Sequence, residues 1–371
     1  MHSAVGTSAV HGGEDVNERT DDVRVGLIGY GYSGKTFHAP LISATPGLAL
    51  SAVASRDCAK VRADFANLRV IDNPGDLIRS SDIDVVVIAT PNDSHAPLAR
   101  QALAAGKHVV VDKPFTLTLA EARELRDLAV EQQRLLAVFQ NRRWDSDYLS
   151  IRRALAEQLL GEVTHFESHF DRFRPEVRRR WREGSGPGSG IWFDLGPHLV
   201  DQALQLFGLP DCLTANFARQ RAGAESDDWA HVVLDYGSRR VILHTGMLTA
   251  GGVHRFLLHG SQGSLLKHRA DQQEAQLLAG IKPTNPDWGA DPDDLVFFDG
   301  TRGERRIPAV RGDQREFYTG IAAALRGSGP NPVPAAQIIA VVAVIEAAIL
   351  AAVSGQRAKL YLTQDERDIW N

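Results

Sequence analysis

The chain has 371 residues, 43% hydrophobic and 23% charged, with 33 Gly and 17 Pro, which excludes collagen-like, disordered and disulfide-stapled classes. Its 41 Lys+Arg against 46 Asp+Glu leave a formal net charge of −5, so no bulk basic field gathers nucleic acid or anionic lipid. Two cysteines, Cys58 and Cys212, are too few for a disulfide framework or a four-thiolate metal site, and they fit a reducing, cytoplasmic compartment.

Residues 1–22 are rich in Gly, Ser, Asp and Glu, lack the apolar stretch of a secretory signal, and read as a disordered tail. Residues 25–28 form an apolar run ending in Gly29-Tyr30-Gly31-Tyr32-Ser33-Gly34, and a helix is expected through Phe37, Leu41 and Ile42. A strand over 48–54, a charged helix near 59–66 and a short strand over 69–71 follow. Residues 85–89 are continuously apolar, as in a parallel strand buried on both faces. A helix over 95–105 ends at Gly106, and a strand covers 107–111. Thr118-Leu119-Ala120-Glu121 has capping-box spacing for a helix reaching about Gln133, before a strand over 135–139. This alternation predicts an α/β chain whose residues 23–141 form a Rossmann-type, doubly wound parallel sheet.

After Asn141 the pattern changes. A helix over 146–160, a strand over 162–170, a Gly- and Arg-rich loop and a helix over 194–207 lead into strands over 229–236 and 239–247. Gly237-Ser238 between those two is a hairpin signal, and strands over 254–259 and 264–267 follow. Strands without intervening helices predict an α+β domain over 142–371 with a large open mixed or antiparallel sheet. The apolar segment at about 335–354 contains Glu346 and lacks the roughly 20 uninterrupted apolar residues of a membrane span. It reads as a buried or interface helix, and no membrane association is expected.

Four groups of residues carry chemistry. Gly29-x-Gly31-x-x-Gly34 follows a strand and opens a helix. There the glycines give a tight turn, close approach of backbone to a pyrophosphate, and close helix–strand packing. The second strand ends in Ser55-Arg56 rather than an acidic residue. A hydroxyl beside a guanidinium suits a 2′-phosphate, so NADP is favoured with NAD possible, although Asp57 could take a ribose hydroxyl and Arg56 could be a solvated loop residue. Thr90-Pro91-Asn92, with Ser94 and His95, and Asp112-Lys113-Pro114 end successive parallel strands on the ligand-binding edge. Helix caps and a surface lysine are their bland readings. Asp194, His198 and Asp201 are spaced i, i+4, i+7 along one helix, so Asp194 is expected to orient His198 as a general base. A metal set and a purely structural helix compete with that reading, and no second His cluster or Cys pair in the sequence supports metal.

These motifs resemble the family of glucose–fructose oxidoreductase, inositol dehydrogenase and rhizopine-catabolism oxidoreductases, over everything after the tail. The family usually has Glu where Asp112 stands. The segments 30–42, 141–145 and 169–175 are similar to bacterial NADP-dependent scyllo-inositol dehydrogenases. The resemblance implies nicotinamide binding by Gly29, Tyr30, Gly31, Tyr32, Ser33, Gly34, Ser55, Arg56, Thr90, Pro91, Asn92, His95, Asp112 and Lys113. It also implies catalysis by Lys113, Asp194 and His198 on a secondary alcohol of a cyclic polyol or sugar. A homodimer or homotetramer built through the C-terminal sheet is expected. The alternatives are a reductase of another sugar or dihydrodiol carbonyl, and a non-catalytic NADP-sensing regulator on the same fold. Local features, including Ser55, Arg56 and Lys35, would hold the anionic cofactor because bulk charge does not.

Overall fold

The computed structural model describes residues 22–301 and 303–370, so the expected tail lies outside the described residues except for Asp22. The first sheet alternates with helices: β1 (Val23–Ile28), α1 (Ala39–Ser43), β2 (Leu48–Ala54), α2 (Cys58–Asp64), β3 (Arg69–Ile71) and α3 (Pro74–Arg79). It continues with β4 (Val85–Ile88), α4 (His95–Ala104), β5 (His108–Val111), α5 (Leu119–Glu131) and β6 (Leu136–Val138). All six strands are parallel in the order β3-β2-β1-β4-β5-β6. Strand order reverses between β1 and β4, which opens a crevice at their C-terminal ends. Every residue of β4 is buried, the reason this strand reads as a continuous apolar run. The capping box at Thr118 forms as its spacing requires.

The second half comprises α6 (Ser146–Ala156), β7 (Val163–His169), α7 (Ile191–Phe207), β8 (Cys212–Ala218), β9 (Trp229–Tyr236) and β10 (Arg239–Gly246). It continues through β11 (Phe256–Gly260), β12 (Gly263–Lys267), α8 (Gln273–Leu278), β13 (Leu295–Phe298) and β14 (Glu304–Ile307). These strands form a mixed eight-stranded sheet, β14-β13-β12-β11-β7-β10-β9-β8, in which only β7 and β10 run parallel. The sequence pattern missed the seven-residue β8, the shorter β13, β14, α3 and α8, and helices at Arg315–Leu325 and Gln364–Asp368.

Three helices close the chain: α9 (Arg315–Leu325), α10 (Ala335–Ser354) and α11 (Gln364–Asp368). α10 packs against α5 and β6 of the first sheet's unit and against α7 and β8 of the second. Its Ile338, Ile339, Val341, Val344 and Ile345 are buried, at roughly 1.5–3 kcal/mol for each such side chain. Thus the helix long and apolar enough to cross a membrane is the pin between the two halves. Its only charge, Glu346, accepts a hydrogen bond from Leu119 N (2.7 Å) at the start of α5, where the helix dipole favours an anion.

Candidate active site

The glycine turn separates what the fold needs from what a ligand needs. Gly29 has φ +97°, and a Cβ there would lie 2.4 Å from Ala89 O; a Cβ on Gly34 would lie 2.1 Å from Gly29 O. Both are therefore fixed by backbone geometry and close helix–strand approach. A Cβ on Gly31 would meet nothing within 4 Å, and its φ is not positive. Nothing among the described residues requires glycine there, whereas a pyrophosphate lying on the backbone would. Tyr30 contributes only its backbone to the turn, because its buried ring reaches Asp64 with a hydroxyl hydrogen bond of 2.8 Å. Lys35 is committed to the same Asp64 carboxylate at 2.7 Å, which corrects the expectation that it is free for a phosphate.

At the end of β2, Ser55 Oγ accepts from Asp57 N (3.1 Å), and Asp57 Oδ1 accepts from Lys60 N (3.0 Å) to cap α2. That cap occupies one oxygen of the carboxylate that could have served a ribose. Arg56 is exposed, and its side chain makes no hydrogen bond or ion pair among the described residues. The open cradle at Gly31 fits the pyrophosphate of a dinucleotide, and the guanidinium of Arg56 is without a partner among the described residues.

The loops after β4 and β5 meet at the same edge, but not all their residues face a ligand. His95 is fully buried, with Nδ1 2.8 Å from Pro114 O and Nε2 3.0 Å from Thr90 O. It staples the two loops together, a correction to its expected contact with cofactor. Asn92 likewise spends its amide on Gly188 O (2.8 Å), which ties the Thr90-Pro91 loop to the glycine-rich approach to α7. Thr90 Oγ1 accepts from Ser94 Oγ at 2.6 Å. Asp112 is buried beside His38, with 3.8 Å from its Oδ2 to Nε2. Burial alone would raise the Asp112 carboxyl, but the His38 ring, the Lys113 charge and the Ser33 hydroxyl hold it well below the usual carboxylate range.

Lys113, Asp194 and His198 converge on one open cleft with about 1000 Å³ of empty space, which Tyr32, Ser33 and Asp112 also line. α7 starts at Ile191, three residues before the expected start, because Asp227 accepts from Ile191 N through its carbonyl and from Trp192 N through its carboxylate (both 2.8 Å). Asp194 therefore lies in the first turn, where an anion is favoured. The Lys113 ammonium donates to Asp194 O (2.5 Å) and to Asp194 Oδ1 (3.2 Å). Burial raises the Asp194 carboxyl, and Lys113, Arg182 and Arg172 overcome that and hold it well below the ordinary range. Burial lowers Lys113, Arg182 adds to the effect, and Asp194 and Asp112 oppose it.

Asp194 does not orient His198, contrary to the sequence expectation: it turns to Lys113. The partner of His198 is Gln140, with 3.2 Å between Nδ1 and Oε1, and the Gln140 amide nitrogen donates to Pro197 O (3.4 Å). That second bond turns Oε1 toward the imidazole, so Nδ1 carries the proton and Nε2 keeps its lone pair. Burial first, then the charges of Lys113, Arg142, Arg255 and Arg172, lowers His198 well below the usual histidine value. The ring is a neutral base at neutral pH. Asp201 lies in a buried pair with Arg143 (2.6 and 2.9 Å) that fastens α7 to residues 141–144. Asp194, His198 and Asp201 thus serve three different partners rather than one metal ion. The His and carboxylate groups close enough to share an ion lie elsewhere in the described residues: Glu167, His169 and His254, and His169, Asp171 and His244. Three separate segments bring these together, a coincidence that spacing in one segment does not reveal.

Other cleft residues lie in or beside segments that the sequence singled out without giving their contacts. Tyr32 donates to Glu274 Oε1 (2.6 Å), and Arg142 bridges Asp145 (2.9 Å) and Glu274 (3.0 Å), so α8 reaches the cofactor turn. Arg172, Arg174, Arg178, Arg180 and Arg182 also line the cleft. Their sequence signal was the density of arginine, six residues between 172 and 182.

Residues 23–140 match the oxidoreductase family's NAD-binding Rossmann fold, and residues 152–360 match its C-terminal alpha/beta domain. The chain is 54% identical over 336 residues to the uncharacterized oxidoreductase YdgJ of Escherichia coli K12, covering 89% of this chain and 96% of that one. It is 37% identical over 336 residues to the scyllo-inositol 2-dehydrogenase (NADP(+)) IolW of Bacillus subtilis 168, covering 89% and 94%. Among solved structures, an oxidoreductase from Klebsiella pneumoniae superposes with TM-score 0.89 at 56% identity, over 94% of this chain and 98% of that one.

Proposed function

The chain belongs to the Gfo/Idh/MocA oxidoreductase family, and from that premise we propose that it is an NADP-dependent dehydrogenase. Its substrate in this reading is a secondary alcohol, or the matching ketone, of a cyclic polyol or sugar. The observation that carries the reading is the meeting of an acid–base pair, Lys113 and neutral His198, at the crevice beside the glycine cradle. A bound nicotinamide nucleotide supplies the hydride acceptor or donor.

His198 Nε2 takes the hydroxyl proton, while Nδ1–H goes on donating to Gln140 Oε1, which keeps the ring in one tautomer. The Lys113 ammonium, steered by Asp194, donates to the oxygen as charge develops on it, a role worth typically 10²–10³-fold. Asp194 offsets the positive charge of Lys113 and Arg182, so it keeps the lysine charged despite burial. Arg56 supports NADP over NAD, as does the NADP(+) in the name of the B. subtilis relative. A nucleotide-sensing regulator would have no use for the Lys113 and His198 arrangement. The test is absorbance of the reduced nicotinamide with a panel of inositols, sugars and their ketones, run separately with NADP and NAD. Turnover with NADP at the higher kcat/KM is expected, and no turnover of any alcohol or ketone refutes the reading.

A further inference from the structure

The cleft carries more positive charge than the proposed hydride exchange uses. Seven cationic side chains line it against three carboxylates, although the whole chain is net negative. After β7 the chain stays extended, with Arg172 N bonded to Gly246 O (2.9 Å) and Arg174 N to Met247 O (2.8 Å). The alternation of an extended strand therefore leaves Phe173 exposed and turns both arginines to the cleft. Arg178, Arg180 and Arg182 repeat the spacing along the next segment.

Two of these charges are answered from within. Arg180 pairs with Glu183 (2.6 Å), and Arg182 approaches Asp194 (3.5 Å). The side chains of Arg172, Arg174 and Arg178 make no hydrogen bond or ion pair among the described residues. Burial, and then the charges of Arg172, Arg178 and Arg180, pushes Arg174 below the usual arginine range. Asp194 and Glu274 feel the Arg172 charge at a distance, but gathering more like charges than there are carboxylates to balance them is unfavourable in the free protein, and an entering anion reverses the sign. Guanidinium forks match the oxygens of a carboxylate or a phosphate. The phosphates of the cofactor already have a cradle at Gly31 and Arg56.

We propose that the cleft selects an anionic substrate, a polyol or sugar bearing a carboxylate or phosphate, held by Arg172, Arg174 and Arg178 while its reacting carbon faces Lys113 and His198. This inference rests on the dehydrogenase reading of the same cleft and narrows its substrate.

The test compares kcat/KM for glucose with glucuronate and glucose phosphate, and for myo-inositol with its monophosphate, in wild type and R172Q/R174Q. Neither arginine side chain holds another element, so the double variant keeps the fold. Calorimetric titration of glucuronate and of inorganic phosphate into the NADP-loaded protein adds a readout independent of turnover. At least one anionic compound is expected to exceed its neutral counterpart tenfold or more. The double variant should lose at least ten times more activity on that compound than on the neutral one, and bind the titrated anion at least tenfold more weakly. Equal use of neutral and anionic compounds, or equal loss on both, overturns the proposal. So does a fall in NADPH affinity as large as that in anion affinity, which would assign the arginines to the cofactor. If neither charge class is turned over, the dehydrogenase reading itself fails. Calorimetry then decides for the anion site: saturable binding lost in the variant supports it, and no binding overturns it.

Discussion

Replacing Gly31 by alanine separates a ligand-imposed residue from its fold-imposed neighbours. The new Cβ meets no protein atom within 4 Å, so the free protein tolerates it, and the stiffer unfolded chain offers about 0.4–1 kcal/mol of stabilisation. A phosphate oxygen bonded to this backbone would sit about 2.9 Å from the donor nitrogen, a space that the methyl group enters. Losing one charge-assisted hydrogen bond costs about 1.5–3 kcal/mol, or roughly 10- to 150-fold in Kd at about 1.4 kcal/mol per tenfold. Gly34→Ala should behave in the opposite way, since its Cβ would sit 2.1 Å from Gly29 O and force the turn from the helix. Overpacking of that kind costs about 1–3 kcal/mol, a drop of several degrees in Tm. Calorimetric titration of NADPH and thermal melting of both variants give the two readouts. A Gly31→Ala protein that binds NADPH within twofold of wild type, or melts as low as Gly34→Ala, refutes the cradle.

Other outcomes follow from the same geometry. Lys113→Ala and His198→Gln should each lose about 10²–10³-fold in kcat yet bind NADPH within a few-fold; near-normal turnover in either removes it from the chemistry. Arg56→Ala should weaken NADP by roughly 10-fold or more and leave NAD nearly unchanged, as read by titration of each nucleotide. In the proposed reaction His198 is the neutral base, and burial lowers it well below the usual histidine value, so acid must go further than usual to protonate it. The acid limb of kcat/KM for alcohol oxidation should therefore fall below pH 6.5, and a limb above that value contradicts a buried neutral ring. Val233, Ile242, Leu257 and Leu266 lie half-buried on strands of the second sheet whose alternate residues are fully buried. We propose that this face joins copies of the chain into a dimer or tetramer. Light scattering should show that, and a monomer at micromolar concentration counts against it.

Much of the first half was legible because local signals agreed. Residues 48–54 and 69–71 are strands over the expected spans, and β4 is apolar throughout because both its faces are covered. The second sheet was legible from β7 and from β9 through β12. β8 and β14 are edge strands with one buried residue and none, and β13 is four residues with three consecutive ones buried, so none of the three shows a clear alternation. At the cleft, sequence singled out Lys113, Asp194 and His198, which the fold brings together, but it paired Asp194 with His198 rather than with Lys113. Helical spacing brings Asp194 and His198 to one face without fixing which way each side chain turns. A buried ammonium competes more strongly for the carboxylate than a neutral imidazole does.

The sequence by itself determined an average-composition α/β chain with a glycine turn between its first strand and helix, because glycine spacing, strand runs and capping are short-range constraints. Tertiary structure alone decided that the apolar segment near the C-terminus is the pin between two halves, since only packing shows what covers it. It also decided that Gln140 serves His198, that Asp194 serves Lys113, and that three arginines without partners among the described residues face the cleft. Those are contacts between residues tens of positions apart, so only the folded chain sets their distances and charges.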